Sequence, residues 1–342
     1  MKLGPVSIAR VTTHAVAARA GVSQPTVSLV LSKNPKARLS AETRERVLRA
    51  AEELQYRPNV VARSLVQGRS YAFGIIVPDL RNPFFADVVS GAQKVAAEAG
   101  FAVLLCEARE VTVEQHLDTL QGRLIDGVLV DASGASALPE ETLRTLNVVL
   151  IDEPSGKRPG VASDALGAGV LAADHLIDLG HRDIAFIGPA QDIHAMRMRE
   201  RGFSMALREA GISLRSEWLR RAPGTIAGGM EGMRALLALR SRPSAVFCAN
   251  DLVALGALKA CAAEHVAVPN DVSIIGCDDI EMARLVTPEL TSISIPAREL
   301  GARAARLLLR RIDSGGADVR AARPLPVRLV ARGSTARPRT AA

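Results

Sequence analysis

Residues 13–31 read THAVAARAGVSQPTVSLVL, and this stretch decides how the N-terminal part of the chain is interpreted. Apolar side chains recur at helical spacing on both sides of a break at Gly21. Gly21 supplies the backbone freedom of a tight turn, and Ser23 can cap the second helix. Pro25 falls in the first turn of that helix, where its missing N–H costs little. The spacing predicts a helix-turn-helix, whose second helix can enter the major groove of DNA.

A third helix is predicted for residues 40–54, SAETRERVLRAAEEL, with Ser40 as its N-cap. Apolar residues at helical spacing should form its buried stripe, and they are Val47, Leu48, Ala51 and Leu54. Residues 59–70 follow as a short hinge helix and linker that is too short to be stable alone. We therefore expect a three-helix headpiece over residues 11–58.

The positive charge of the chain is concentrated in this N-terminal part. Residues 1–70 contain 12 Lys and Arg against 4 Asp and Glu, whereas residues 71–342 contain 31 against 32. Such an asymmetry is typical of a phosphate-binding module joined to a neutral body. The alternative is a solvated basic tail, which is disfavoured because the charges alternate with an apolar helical period.

From Tyr71 onward, unbroken apolar runs alternate with amphipathic helical stretches. The runs are FGIIVP (73–78), FAVLLC (101–106), GVLVD (127–131), VVLID (148–152), IAFIG (184–188), AVFCA (245–249) and SIIGC (273–277). This alternation favours buried parallel sheets in a doubly wound α/β architecture. Seven strands are more than a single sheet usually contains, so we expect two lobes with a cleft between them. Ligands bind at the carboxyl ends of such strands, where the chain places Asp79, Asp152, Asn250, Asp251, Asp278 and Asp279.

Other classes of protein are disfavoured by what the sequence lacks. No apolar run reaches the roughly 18 residues of a membrane-spanning helix, and the N-terminus lacks the apolar core of a secretory signal. A cytoplasmic protein is therefore expected. The cysteines are scattered without a CxxC pair, and they lie in apolar segments that suit buried thiols; they are Cys106, Cys248, Cys261 and Cys277.

The first alternative class of protein is an enzyme. Residues 167–172 match the dinucleotide fingerprint GxGxxA, but no apolar strand immediately precedes them, and the next strand ends without an acidic residue. No GxSxG, HExxH or GxxxxGK[ST] motif occurs, and the six histidines show no metal-ligand spacing. We therefore expect no catalytic activity, no cofactor and no metal.

A dozen short motifs, in order from Thr12 to Thr335, resemble those of the lactose/galactose-repressor (LacI/GalR) family of bacterial transcription regulators. They are AGVSQPTVSLVL, LSAETRERV, YRPNVVARSL, GIIVPDLRNPFF, DGVLV, VVLID, HLIDLGHRDIAFIG, RERGF, FCANDLVALGAL, VSIIGCDDIEMA, PELTSI and LVARGST. The resemblance implies a DNA-binding headpiece, a hinge helix and a two-lobed core like that of periplasmic sugar-binding proteins. It also implies a homodimer on a pseudo-palindromic operator of double-stranded DNA. Only seven residues follow Thr335, too few for a leucine-heptad tail, so a dimer is expected rather than a tetramer.

The same resemblance suggests domain boundaries within the core. We expect the first lobe over residues 71–163 and 294–322, and the second over residues 164–293 and 323–335.

The resemblance also implies which residues contact DNA. Gln24 and Pro25 occupy the base-specifying positions, and the Gln24 amide suits adenine. Small hydroxyl residues suit phosphate oxygens, although each can equally serve as a helix cap; they are Thr12, Ser23, Thr26, Ser28 and Thr43. Leu29 departs from the family, many of whose members have arginine there. In the hinge, Asn59 and Arg63 match the family, and Leu65 is expected to insert between base steps in the minor groove.

Four polar residues match the effector contacts of the family: Asp152, Arg199, Asn250 and Asp278. Asn82, Phe84 and Phe85 are expected to form the opposite wall of the cleft, and Asp79 is expected to contact the effector from a strand end. The effector stays open among sugars, sugar phosphates, nucleosides and other small polar metabolites, as does its role as inducer or corepressor. A transport-associated solute-binding protein is the alternative that shares this core architecture.

Overall fold

The structure is a computed structural model in which residues 11–31, 39–56, 68–123, 125–131, 133, 146–153, 159–191, 193–316 and 323–339 are described. The chain divides into two compact units, residues 1–70 and 71–342. Each unit has its own hydrophobic core and is described separately below.

The described residues of the first unit form three helices around a small apolar core. They are α1 (Thr13–Ala20), α2 (Gln24–Leu31) and α3 (Ala41–Glu53). Thr12 caps α1 by accepting a hydrogen bond from the Ala15 amide, and Gly21 ends it with a left-handed φ of 64°. Ser23 accepts from the Thr26 amide at 3.4 Å and so caps α2. The helix-turn-helix that the Gly21 break predicts is therefore present.

The buried stripe of α3 differs from the prediction at two residues, Leu48 and Ala50. Val47, Ala50 and Ala51 are buried, whereas Leu48 is 49% exposed. Positions 47, 50 and 51 share one face at helical spacing, and Leu48 lies about 100° around the helix, on the side that faces solvent. The predicted hinge helix lies outside the described residues.

The part of the second unit that the structure describes forms two sheets, of which the first is wholly parallel, with strand order β2-β1-β3-β4-β5. Its strands are β1 (Ala72–Val77), β2 (Ala102–Glu107), β3 (Gly127–Asp131), β4 (Asn147–Ile151) and β5 (Gly160–Val161). Its helices are α4 (Pro83–Glu98) and α5 (Val113–Gln121). Ile75 and Val77 belong to the core on the α4 side, and Ile76 belongs to the core on the α5 side, so both faces are covered.

The second sheet has the order β11-β10-β9-β8-β6-β7 and is parallel except for the antiparallel pair β10–β11. Its strands are β6 (Ile184–Pro189), β7 (Leu219–Ala222), β8 (Ala245–Cys248), β9 (Ser273–Asp278), β10 (Thr291–Ser294) and β11 (Arg328–Val330). The accompanying helices are α6 (Ala165–Asp178), α7 (His194–Glu209), α8 (Ile226–Leu237) and α9 (Asp251–Ala263). Short 3₁₀ turns cover Ser216–Trp218 and Glu281–Arg284.

The last long helix returns to the first sheet. α10 (Ala297–Asp313) packs against α4, β3 and β4, although it directly follows β10 of the second sheet. Strand β11, which comes next, pairs with β10 again. The chain therefore passes between the two sheets three times: after β5, after β10 and between α10 and β11.

All seven apolar runs form strands, which confirms the doubly wound α/β prediction. Two features depart from it. The run at 101–106 forms β2 at the edge of its sheet, so Leu105 is 42% exposed rather than buried. The second sheet also ends in the antiparallel pair β10–β11.

Helices α6 and α7 approach each other closely through glycines. A Cβ at Gly169 would collide with the carbonyl oxygen of Arg199, and a Cβ at Gly202 would collide with that of Leu166. The glycines of the fingerprint-like stretch 167–172 thus lie in and beside a helix contact. This contact also fixes the part of α7 that carries Arg199.

Candidate DNA-reading surface and effector cavity

Helix α2 leaves one face open for a ligand and buries the other. Val27 and Val30 point into the core of the first unit, whereas Gln24 and Pro25 are exposed at the start of the helix. Ser28 and Leu29, one turn further on, are exposed as well. The surface predicted to reach base edges is therefore accessible.

The predicted phosphate contacts also have local structural roles. Thr12 and Ser23 are helix caps, and the Thr26 hydroxyl lies 2.9 Å from that of Ser23. Thr43 accepts a hydrogen bond from the Ser40 hydroxyl at 2.9 Å. Such caps orient a hydroxyl near the helix end without burying it. The predicted hinge contacts Asn59, Arg63 and Leu65 lie outside the described residues.

A cavity of about 280 Å³ lies in the second unit, at the carboxyl ends of strands from both sheets. Its lining includes the eight residues predicted for the effector: Asp79, Asn82, Phe84, Phe85, Asp152, Arg199, Asn250 and Asp278. Polar residues that the prediction missed also line it: Asp131, Ser133, Gln191 and Thr225. Asp131 ends the run GVLVD, so the strand-end signal that selected Asp152 could have found it.

Arg199 is the centre of the charge arrangement in this cavity. Its side chain is 1% exposed; its Nη1 lies 3.1 Å from Asp278 Oδ1 and donates a hydrogen bond to the Ala249 carbonyl at 2.6 Å. Burial acts to lower the pKa of Arg199, but the neighbouring carboxylates of Asp278 and Asp152 outweigh it and raise that pKa. The guanidinium therefore stays charged and ready to donate hydrogen bonds.

Asp278 is surrounded by other acids as well as by Arg199. Burial raises the pKa of Asp278 to about 8, opposed by Arg199 and assisted by the charges of Asp251 and Asp152. Burial likewise raises the pKa of Asp251 to about 6, while hydrogen bonds from Ser292 and the Ile280 amide act to lower it. Because three carboxyl groups surround one guanidinium, states in which two or all three of them are ionised have a high free energy.

The backbone is strained at two carboxylates of the cavity, Asp152 and Asp278, and at Asp279, which follows the second of them. Asp152, Asp278 and Asp279 have φ values of 59°, 121° and 57°. For residues with a Cβ, such conformations cost about 1–3 kcal/mol each and persist only where the surroundings enforce them. Strain of this kind clusters at ligand sites.

The other polar residues of the cavity are held rigidly. Asn82 and Asn250 cap α4 and α9, and the Asn250 amide also donates to the Gly224 carbonyl at 3.2 Å. Asp152 Oδ1 accepts from the Ser163 hydroxyl at 2.8 Å. Both asparagines are therefore helix caps, and these hydrogen bonds preorganise the walls of the cavity.

One apolar wall completes the cavity. Phe84 and Phe85 make an edge-to-face pair with ring centroids 5.3 Å apart, and both come from the start of α4. Among the described residues that line the cavity, they supply the aromatic surface. A ring-shaped ligand can therefore stack on this side only.

Within the described residues, no cluster of His, Cys, Asp and Glu has the arrangement of a metal site. No helix in the described ranges is both long and apolar enough to cross a bilayer.

Family models match both parts of the chain. Residues 12–59 match the bacterial regulatory proteins of the lacI family, and residues 173–335 match the periplasmic binding protein-like domain. The HTH-type transcriptional repressor PurR of Mannheimia succiniciproducens is 35% identical over 308 residues, which cover 88% of this chain and 92% of that protein. The PurR of Erwinia tasmaniensis is 36% identical, with 89% and 91% covered.

The chain belongs to the lacI family of bacterial regulatory proteins. Solved structures agree with this assignment. The lac repressor dimer bound to operator and the anti-inducer ONPF has a TM-score of 0.83 at 28% identity, covering 96% of this chain and 99% of that one. The regulator CelR in complex with cellobiose has a TM-score of 0.70 at 32% identity, with 95% and 100% covered. This LacI-family protein is therefore a DNA-binding transcriptional regulator.

Proposed function

We propose that this LacI-family regulator is a cytoplasmic, non-enzymatic repressor that binds a pseudo-palindromic operator as a homodimer. Its headpiece covers residues 11–58 and its hinge residues 59–70. The core comprises one lobe of residues 71–163 and 294–322 and another of residues 164–293 and 323–335. Gln24 and Pro25 contact base edges, and the hydroxyls of Thr12, Ser23, Thr26, Ser28 and Thr43 contact phosphates. In the hinge, Asn59 and Arg63 contact DNA and Leu65 inserts into the minor groove.

The effector that controls operator affinity binds in the cavity around Arg199 and Asp278. The observation that carries this proposal is the convergence of strand-end polar residues on one cavity in a chain that also has a helix-turn-helix with an exposed recognition face. A transport-associated solute-binding protein has no use for such a headpiece. A ligand that fits one arrangement of the lobes better than another shifts the population between them and so alters DNA affinity.

The charges of the cavity favour an uncharged polyhydroxylated effector. Among the described residues of its lining, four are acidic (Asp79, Asp131, Asp152 and Asp278) and one, Arg199, is basic. Carboxylates accept hydrogen bonds from hydroxyl groups, but they repel a phosphate in a site of low dielectric. Neutral sugars and nucleosides therefore fit better than their phosphate esters.

A matched thermal-shift screen tests this proposal. We expect the melting temperature to rise with at least one neutral compound from a panel that includes ribose, cellobiose and uncharged nucleosides, because a ligand stabilises the state that binds it. Ribose 5-phosphate serves as the charged counterpart of ribose and should give a smaller shift. Stabilisation by phosphate esters alone would contradict the proposed effector class.

A further inference from the structure

Two buried side chains outside the cavity lining hold the turn that follows β9. The Asp279 amide donates a hydrogen bond to Ser292 Oγ at 3.1 Å, and the Ile280 amide donates to Asp251 Oδ2 at 2.9 Å. The Ser292 hydroxyl in turn donates to Asp251 Oδ1 at 2.6 Å. One carboxylate and one hydroxyl thus bind two successive amides of a single turn.

This turn begins at the residue that meets Arg199. Asp278 and Asp279 both have positive φ values, which side chains with a Cβ rarely adopt. A turn of this kind relaxes unless neighbouring groups enforce it. The hydrogen bonds of Asp251 and Ser292 are directed at the two amides immediately after Asp278, so they act on the backbone that aims its carboxylate.

The two holding residues are themselves fixed by the fold. Asp251 is the first residue of α9 and is fully buried, and Ser292 is fully buried in β10. Gly276 makes room for the carboxylate, since a Cβ there would collide with Asp251 Oδ1. A carboxylate at a helix N-terminus is also favoured by the helix dipole.

We propose that Asp251 and Ser292 are positioning residues of the effector site, which hold the Asp278–Ile280 turn so that the Asp278 carboxylate faces Arg199 and the ligand. Neither residue contacts the effector. The inference rests on the proposed function of the cavity, which it deepens by extending the site to a layer behind its wall.

Ser292→Ala and Asp251→Asn in the full chain test the proposal, with Ser273→Ala as the matched control. Ser273 is an equally buried serine in β9, at the opposite end of the strand, where it hydrogen-bonds His181 and Ala336. Its loss should lower stability without reaching the Asp278 turn.

The first readout is hydrogen exchange followed by mass spectrometry over residues 277–281. Exchange of the Asp279 and Ile280 amides should be at least tenfold faster in both test variants and unchanged in the control. Wild-type exchange in Ser292→Ala, or equal acceleration in Ser273→Ala, would overturn the proposal. Ser292→Ala keeps the experiment decisive if Asp251→Asn fails to fold.

The second readout is affinity for whichever of ribose and cellobiose the wild type binds. The dissociation constant should rise about tenfold in the test variants and stay within twofold of wild type in the control. If the wild type binds neither sugar, the uncharged nucleosides of the thermal-shift panel take their place. Binding of none of these neutral compounds would put the proposed effector class at fault, and hydrogen exchange alone would then decide whether Asp251 and Ser292 hold the turn. Unchanged affinity in both test variants would overturn the positioning role.

Discussion

At the scale of single residues, the cavity is defined by an excess of buried acid over base. Asp278 lies against Arg199, yet two further carboxylates influence the same region, and burial penalises every charge there. Aspartates in such an arrangement stay protonated at pH values at which exposed aspartates are ionised. Their ionisation should therefore be visible in the stability of the protein.

We expect the unfolding free energy to fall between about pH 4 and about pH 8 as Asp278 loses its proton. The pKa of Asp278 is raised to about 8 in the folded state, against about 3.9 when unfolded, so the folded state binds the extra proton. That stability is fully present below pH 4 and is lost as the pH rises through 8. Asp278→Asn removes this titration, and urea unfolding between about pH 5.5 and about pH 8 should show a decline smaller by about 3 kcal/mol. Identical declines in the two proteins would contradict the raised pKa.

The residues of the cavity were largely predictable because parallel strands place their following residues at one edge of a sheet. Resemblance to the family added Arg199, which lies on a helix and carries no such signal. Ser292 could not be foreseen, since it lies 41 residues from Asp251 in a strand too short to show a pattern. Contacts of that kind can be predicted only when the order of the strands in the sheet is known.

At the scale of elements, long apolar strands can be predicted from their own sequence, whereas short polar strands cannot. The seven apolar runs all form strands, whereas β7 reads LRRA, β10 reads TSIS and β11 reads RLV. These strands depend on pairing with neighbours in the sheet rather than on their own composition. Leu48 shows the same limit in a helix, because hydrophobicity alone does not say which of two adjacent residues faces inward.

Gly202→Ala should separate α6 from α7. The new methyl group meets the Leu166 carbonyl, so the helices must shift, and overpacking of this kind costs about 1–3 kcal/mol. Arg199 lies one turn away on α7 and should lose its alignment with Asp278. Gly122→Ala is the control, because an added Cβ there has its nearest neighbour at an ordinary 3.5 Å. If Gly122→Ala lowered the unfolding free energy as much as Gly202→Ala does, the contact between α6 and α7 would not be the cause of the loss.

Gln24→Ala should weaken binding to an operator selected from random DNA by about 1–3 kcal/mol, the range of a good base contact. Binding to non-specific DNA should change little, because the phosphate contacts remain. Gln55→Ala, an exposed glutamine beyond α3, serves as the matched control. Fluorescence anisotropy at fixed salt measures both affinities, and parallel losses on both kinds of DNA would argue against base readout by Gln24.

At the scale of the whole molecule, the excess positive charge and the hydrophobic cores are divided at the same boundary, between residues 70 and 71. Residues 1–70 carry the positive balance and one core, and residues 71–342 carry a near-neutral surface and their own cores. This partition suits one part that is attracted to polyanions and another that senses a small molecule. The two activities should therefore be separable.

A fragment of residues 71–342 should keep the ligand-induced rise in melting temperature and lose DNA binding. Its core is complete without the first unit, whereas the basic residues that release counterions from DNA are gone. Thermal shift and anisotropy measure the two properties, with the full chain as the reference. If the fragment still bound DNA with an affinity that falls steeply with salt, nucleic-acid contacts would lie in residues 71–342, contrary to this prediction.

The three passages of the chain between its two sheets constrain how such a regulator can be re-engineered. Because α10 lies on one sheet while the strands before and after it belong to the other, neither half corresponds to an uninterrupted gene segment. Exchanging one half by a single splice would leave a helix or a strand from the wrong parent. New specificity is therefore better obtained by transplanting the complete sensor or by altering individual wall residues.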